Sequence, residues 1–131
     1  MLKKNLYIIV EHKNRELLSQ VLLATFAIKK GFRVFVGNYR GIFRFLSIKK
    51  AQSGIMIMKG GLIEEYTMLI KKKCENYIIL DQEISPGYEK AFYTEWISDR
   101  FLSKTIKYID LYCCLNDIIF SASKKNRLFK K

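Results

Sequence analysis

Leu6-Tyr7-Ile8-Ile9-Val10-Glu11-His12-Lys13-Asn14-Arg15-Glu16 opens the chain with an apolar run and then becomes wholly polar. A short continuous apolar run with β-branched and aromatic members reads as a buried strand, and the periodic pattern that follows reads as a helix. A strand that ends in charged and hydrogen-bonding side chains at a strand-to-helix turn is where open α/β sheets hold ligands. Glu11, His12, Lys13 and Arg15 are therefore the first candidate site residues.

Working outward from this turn, apolar runs keep alternating with helical patterns. From Arg15 the period is 3.6, with Leu18, Val21, Leu22, Thr25 and Phe26 on the face expected to meet the core. Asn14 is the expected N-cap and Gly31 the C-cap glycine. Arg33-Val34-Phe35-Val36 reads as strand two, and Gly37-Asn38 as a turn. A shorter helix then carries Ile42, Phe43, Phe45, Leu46 and Ile48. Gly54 to Met58 is strand three, closed by Lys59-Gly60-Gly61, and Ile63 to Lys73 is the next helix. Tyr77-Ile78-Ile79-Leu80 is strand four. Beyond it Pro86-Gly87 breaks the chain, and Tyr88, Phe92, Tyr93 and Trp96 recur at spacings suited to packing or to stacking on a ring. A helix is expected near Asp99 to Lys107, a fifth strand at Leu111 to Leu115, and a last helix capped by Asn116-Asp117. Strands alternating with helices predict an α/β fold, a Rossmann-like parallel sheet of about five strands with helices on both faces. The expected organisation is one domain over 1–123 and a basic C-terminal tail over 124–131.

Bulk properties narrow the classes. The 131 residues suffice for one core without disulfide staples. Cys74, Cys113 and Cys114 are an odd number, two of them adjacent, which suits a reduced, cytoplasmic compartment. No apolar run approaches the roughly 20 residues that cross a bilayer. The net charge of +12 biases partners toward anions: nucleotide-linked substrates, nucleic acid, or acidic membrane lipids touched peripherally at the inner face. Charge runs such as Lys71-Lys72-Lys73 and Lys124-Lys125 are equally the mark of a solvated face or tail. A nucleic-acid signature is absent, so no specific nucleic acid is expected. His12 is the sole histidine, and the cysteines are not spaced as a ligand set, so neither a metal site nor a cofactor is expected.

One resemblance adds to this. Val10-Glu11-His12-Lys13-Asn14-Arg15-Glu16-Leu17, then Leu22-Leu23-Ala24 and Lys30-Gly31-Phe32-Arg33-Val34, resemble the opening of the bacterial surface carbohydrate biosynthesis proteins. Those begin with a strand, a V-E-x-K-x-R-E-L turn, a Leu/Ala-rich helix and a G-[FY]-x-V strand. Leu80-Asp81-Gln82-Glu83 is similar to that family's L-D-E-E step. Here Gln82 replaces an acid, and Ile84-Ser85-Pro86-Gly87 stands where a glycine follows directly. The resemblance implies the acceptor-side half of a GT-B glycosyltransferase-like protein for lipopolysaccharide or capsule. It also implies a second Rossmann-like domain or subunit to hold the nucleotide sugar. These residues alone are then expected to be inactive, as a truncated piece, a degenerate product or one part of a split enzyme.

Within that reading Asp81, Glu83 and Glu11 are the candidate catalytic carboxylates, since glycosyl transfer passes through oxocarbenium-like states that carboxylates stabilise. Lys13, Arg15 and His12 are the candidate contacts to an anionic sugar or sugar-phosphate acceptor. A strand order 3-2-1-4-5 would make strands one and four neighbours and set both clusters on one crevice. The structural alternative is that Arg15 and Glu16 belong to the helix's first turn and that Glu11 pairs with Lys13 or Arg15. A basic nucleotide- or nucleic-acid-binding module is the rival function. A flavodoxin-like order 2-1-3-4-5 is the rival fold, and it moves the crevice to Lys59-Gly60-Gly61. That loop offers backbone N–H groups to a phosphate or makes a plain turn before a helix.

Overall fold

The structure is a computed structural model that describes residues 4–48, 53–61, 63–81 and 104–114. Its elements alternate as expected: β1 (Asn5–Ile9), α1 (Lys13–Lys29), β2 (Arg33–Gly37), α2 (Tyr39–Ser47), β3 (Gly54–Met58), α3 (Glu64–Lys73), β4 (Asn76–Leu80), a single 3-10 turn (Ile106–Tyr108) and β5 (Leu111–Cys113). Glu83, the aromatic group from Tyr88 to Trp96, the last helix and the basic tail lie outside the described residues.

All five strands are parallel, in the order β2-β1-β3-β4-β5. The α/β class with a five-stranded Rossmann-like sheet is thus observed. The order is the flavodoxin-like one, and it corrects the expectation that strands one and four pair. β3 lies between them, because the β2-to-β3 connection crosses back over β1 and leaves β3 on its far side.

Strand alternation sorts the core into two unequal layers. Tyr7 and Ile9, with Met56, Met58, Tyr77 and Ile79, face α2 and α3 and meet Ile42, Phe43, Leu46 and Ile70 in one large cluster. Tyr7 stacks on Phe35 at 5.2 Å between ring centroids, and Phe35 meets Phe45 at 4.9 Å. Leu6 and Ile8 face the other way and join Ala24 with the half-buried Leu23, Ala27, Val34, Ile55 and Ile57 under α1. β1 is buried along its whole length, as a strand covered on both faces should be.

Close approaches and caps fix the elements. Gly54 stands so near β1 that a Cβ there would come within 2.5 Å of the Asn5 carbonyl oxygen. Gly31 takes a φ of +90° and closes α1 as expected. The N–H of Gly31 donates to Ile28 and that of Phe32 to Ala27, the paired bonds of a Schellman ending. Asn38 caps α2, its side-chain oxygen accepting from the Gly41 N–H at 2.8 Å.

The expectations for α1 need two corrections. His12 and not Asn14 is its N-cap residue, and no cap side chain bonds there. The stripe read as its core face also points away from the sheet. Leu18 is 86% exposed, Leu22 57% and Phe26 59%, while Glu16, Gln20 and Ala24 are buried. The physical reason lies at the helix's first turn, where Glu16 is tied down.

Candidate functional site

In the order 2-1-3-4-5 the chain leaves β1 toward one face of the sheet and β3 toward the other, so a crevice opens between their carboxyl ends. The strand register shows which residues share that edge. Ile8 pairs with Val36 and Ile57, Ile57 with Ile78, and Ile78 with Leu111. Because the strands are parallel, Glu11 after β1, Gly60 after β3 and Asp81 after β4 all follow at the same carboxyl edge. β3 separates the strands that lead into Glu11 and Asp81. The shared edge expected for these two carboxylates is therefore present, although their strands are not neighbours.

Each carboxylate has a tyrosine. The Tyr39 hydroxyl, at the start of α2, donates to Glu11 Oε1 at 2.6 Å. Burial first, and then the Glu11 carboxylate, push the Tyr39 phenol far above its ordinary range, so it remains a donor. On the other side of β3 the Tyr112 hydroxyl donates to Asp81 Oδ2 at 2.9 Å, and Asp81 is buried. Tyr77 reaches up from β4, its hydroxyl donating to the Gly60 carbonyl at 3.3 Å, and burial raises its pKa strongly.

Glu16 was read only as a first-turn residue, yet it is the most constrained acid of the turn. It is 2% exposed. Its Oε2 accepts from the N–H groups of Glu11 at 2.8 Å and His12 at 3.3 Å. Its Oε1 lies 3.4 Å from Lys59 Nζ, itself in a residue only 5% exposed, and 3.4 Å from Arg15 Nη2. Burial opposes ionisation of Glu16, but the two N–H donors and the Lys59 ammonium outweigh it and hold its carboxyl below the usual range. At α1 the Glu16 carboxylate thus turns back on the N–H groups of Glu11 and His12, just before the first helical turn. Lys59 is likewise turned inward, and Gly60 uses its carbonyl to hold Tyr77. The geometry of Lys59-Gly60-Gly61 is that of a tied turn between β3 and α3, and its phosphate-cradle reading finds no support among these contacts.

The remaining expected residues form the outer rim. His12, Lys13 and Arg15 are exposed at the mouth of α1, and the Arg15 side chain is 58% exposed while touching Glu16. Glu11, His12, Lys13, Arg15 and Asp81 thus gather at one edge, and Glu83 is outside the described residues. The sequence points to neither Tyr39 nor Tyr112, and to Lys59 only as part of a loop and not as the partner of Glu16. The available signal for Lys59 was a lysine set directly after an apolar strand, and for Glu16 an acid in the first helical turn. Among the described residues no group of three His, Cys, Asp or Glu could hold a metal ion, and no helix is long and apolar enough to cross a membrane.

Comparison with protein-family models, with curated proteins and with solved structures finds no match to the chain. The fold and site geometry therefore define it as an α/β domain of flavodoxin-like strand order with a carboxylate-bearing carboxyl edge.

Proposed function

We propose that this chain is the acceptor-side domain of a surface polysaccharide or lipopolysaccharide glycosyltransferase-like protein, acting in the cytoplasm and needing a second domain or subunit for transfer. The observation that carries the reading is the placement of Glu11 and Asp81 at one carboxyl edge, bordered by exposed Lys13, Arg15 and His12. A basic rim suits an acidic sugar or sugar phosphate. The resemblance of the Val10 to Leu17 turn supplies the reaction class. Each residue has a distinct role in this reading. Lys13 and Arg15 hold the acceptor's anionic group, His12 borders it, and Glu11 and Asp81 bring negative charge toward the reacting carbon.

The test is a titration of the whole chain with acidic sugars of the Kdo type, followed by amide NMR shifts. Shifts should appear at residues 11–15 and at Asp81 and be absent with neutral hexoses. Arg15→Ala should weaken binding about tenfold with the thermal midpoint nearly unchanged, because an exposed arginine contributes little to stability. Shifts scattered over the basic surface, or equal binding by the variant, would overturn the assignment.

A further inference from the structure

We infer that the outward face of α1 docks on an anionic lipid surface. This inference does not rest on the sugar reading, although Arg15 enters both. α1 is apolar on two opposite sides. Gln20, Leu23, Ala24 and Ala27 face the sheet with Glu16, while Leu18, Val21, Leu22 and Phe26 are exposed on turns that place them away from it. At 100° per residue Leu18 and Leu22 stand nearly opposite Glu16 and Ala24, so the exposed stripe is a convex ridge and not the flank of the core. A soluble helix normally turns charged residues to that side.

Charge selects the occupant. The ridge is bounded by exposed cations, Arg15 at one end and Lys29 and Lys30 at the other. The Lys29 ammonium lies 5.9 Å from the centre of the Phe26 ring, so cation and apolar surface are contiguous. The one acid of α1, Glu16, is buried and ion-paired with Lys59. A second copy laid along the ridge would set these cations against their equals, whether the two helices ran parallel or antiparallel. A bilayer bearing anionic headgroups meets both requirements. Its acyl boundary takes Leu18, Leu22 and Phe26, and its headgroups take the flanking lysines and Arg15, the pattern of a helix lying in the interface.

Sedimentation of the full chain with vesicles tests this. Binding to phosphatidylcholine vesicles containing phosphatidylglycerol should exceed binding to phosphatidylcholine alone by about tenfold or more, and should fall steeply as salt is raised. Leu18→Gln/Leu22→Gln should reduce that binding about tenfold with an unchanged thermal midpoint, since surface changes leave stability nearly constant. Lys29→Gln/Lys30→Gln should reduce the preference for anionic vesicles while leaving the fold intact. The inference is overturned by the absence of vesicle binding, as would follow from an acidic protein partner, or by equal binding of the Leu18/Leu22 variant. It is also overturned by a marked fall in that variant's midpoint, which would show the ridge packed within the chain, or by self-association that the variant abolishes.

Discussion

Glu16 governs the behaviour of the β1–α1 turn. Its carboxylate satisfies the N–H groups of Glu11 and His12 and faces Lys59, so three segments meet on two oxygens. Breaking a buried ion pair by deleting one partner commonly costs about 3–5 kcal/mol, because the other charge is left in a poor solvent. Glu16→Ala should therefore lower stability by about 3 kcal/mol in denaturant titration, with Glu16→Gln costing less because its amide oxygen still accepts from the turn. The sign with pH follows from the lowered folded pKa. The group stabilises the fold fully above its ordinary value of 4.5, and that contribution is lost as pH falls below it through the lower folded value. Wild type should lose stability in that acid range with a steeper slope than Glu16→Gln. Parallel slopes would mean that other carboxylates carry the acid transition.

Two glycines separate backbone conformation from crowding at the level of elements. Gly31 sits at φ +90° with nothing within 4 Å of a built Cβ, so Gly31→Ala meets only the left-handed penalty of about 1–2 kcal/mol. Gly54→Ala would push its Cβ to 2.5 Å from a backbone oxygen of β1, at the start of the central strand pair. Neither strand can yield without breaking the β1–β3 ladder, so the loss should be about 3 kcal/mol or more, at the top of the overpacking range. Thermal melts of the two variants should rank them in that order. The helices were legible to different degrees for a related reason. α2 presents Ile42, Phe43 and Leu46 to the core, as its period suggests, because it carries no buried polar residue to compete. α1 has apolar residues on both sides, and periodicity cannot choose between them. The choice falls to Glu16, whose tether fixes the helix's rotation, and to Ala24 and Ala27, whose small side chains let it lie close on the sheet.

Across the whole molecule the layers are unequal. Among the described residues the face under α2 and α3 holds most of the buried side chains, and the face under α1 holds few. Amide exchange should reflect this. β1 and β3, paired on both sides, should exchange most slowly, and edge β2, with Arg33 and Val36 exposed, faster. Slower exchange in β2 than in β1 would contradict the central position of β1. The alternation of elements, the strand positions, the Gly31 ending and the polar edge after β1 follow from the sequence alone, because local apolar period, glycine chemistry and strand-end polarity are properties of neighbouring residues. Tertiary structure decided the rest: the order β2-β1-β3-β4-β5, the pairing of Glu11 with Tyr39 and Asp81 with Tyr112, and the burial of Glu16 against Lys59. Those depend on which side of β1 the returning chain takes, and on a charge pair 43 residues apart, neither of which leaves a periodic trace along the chain.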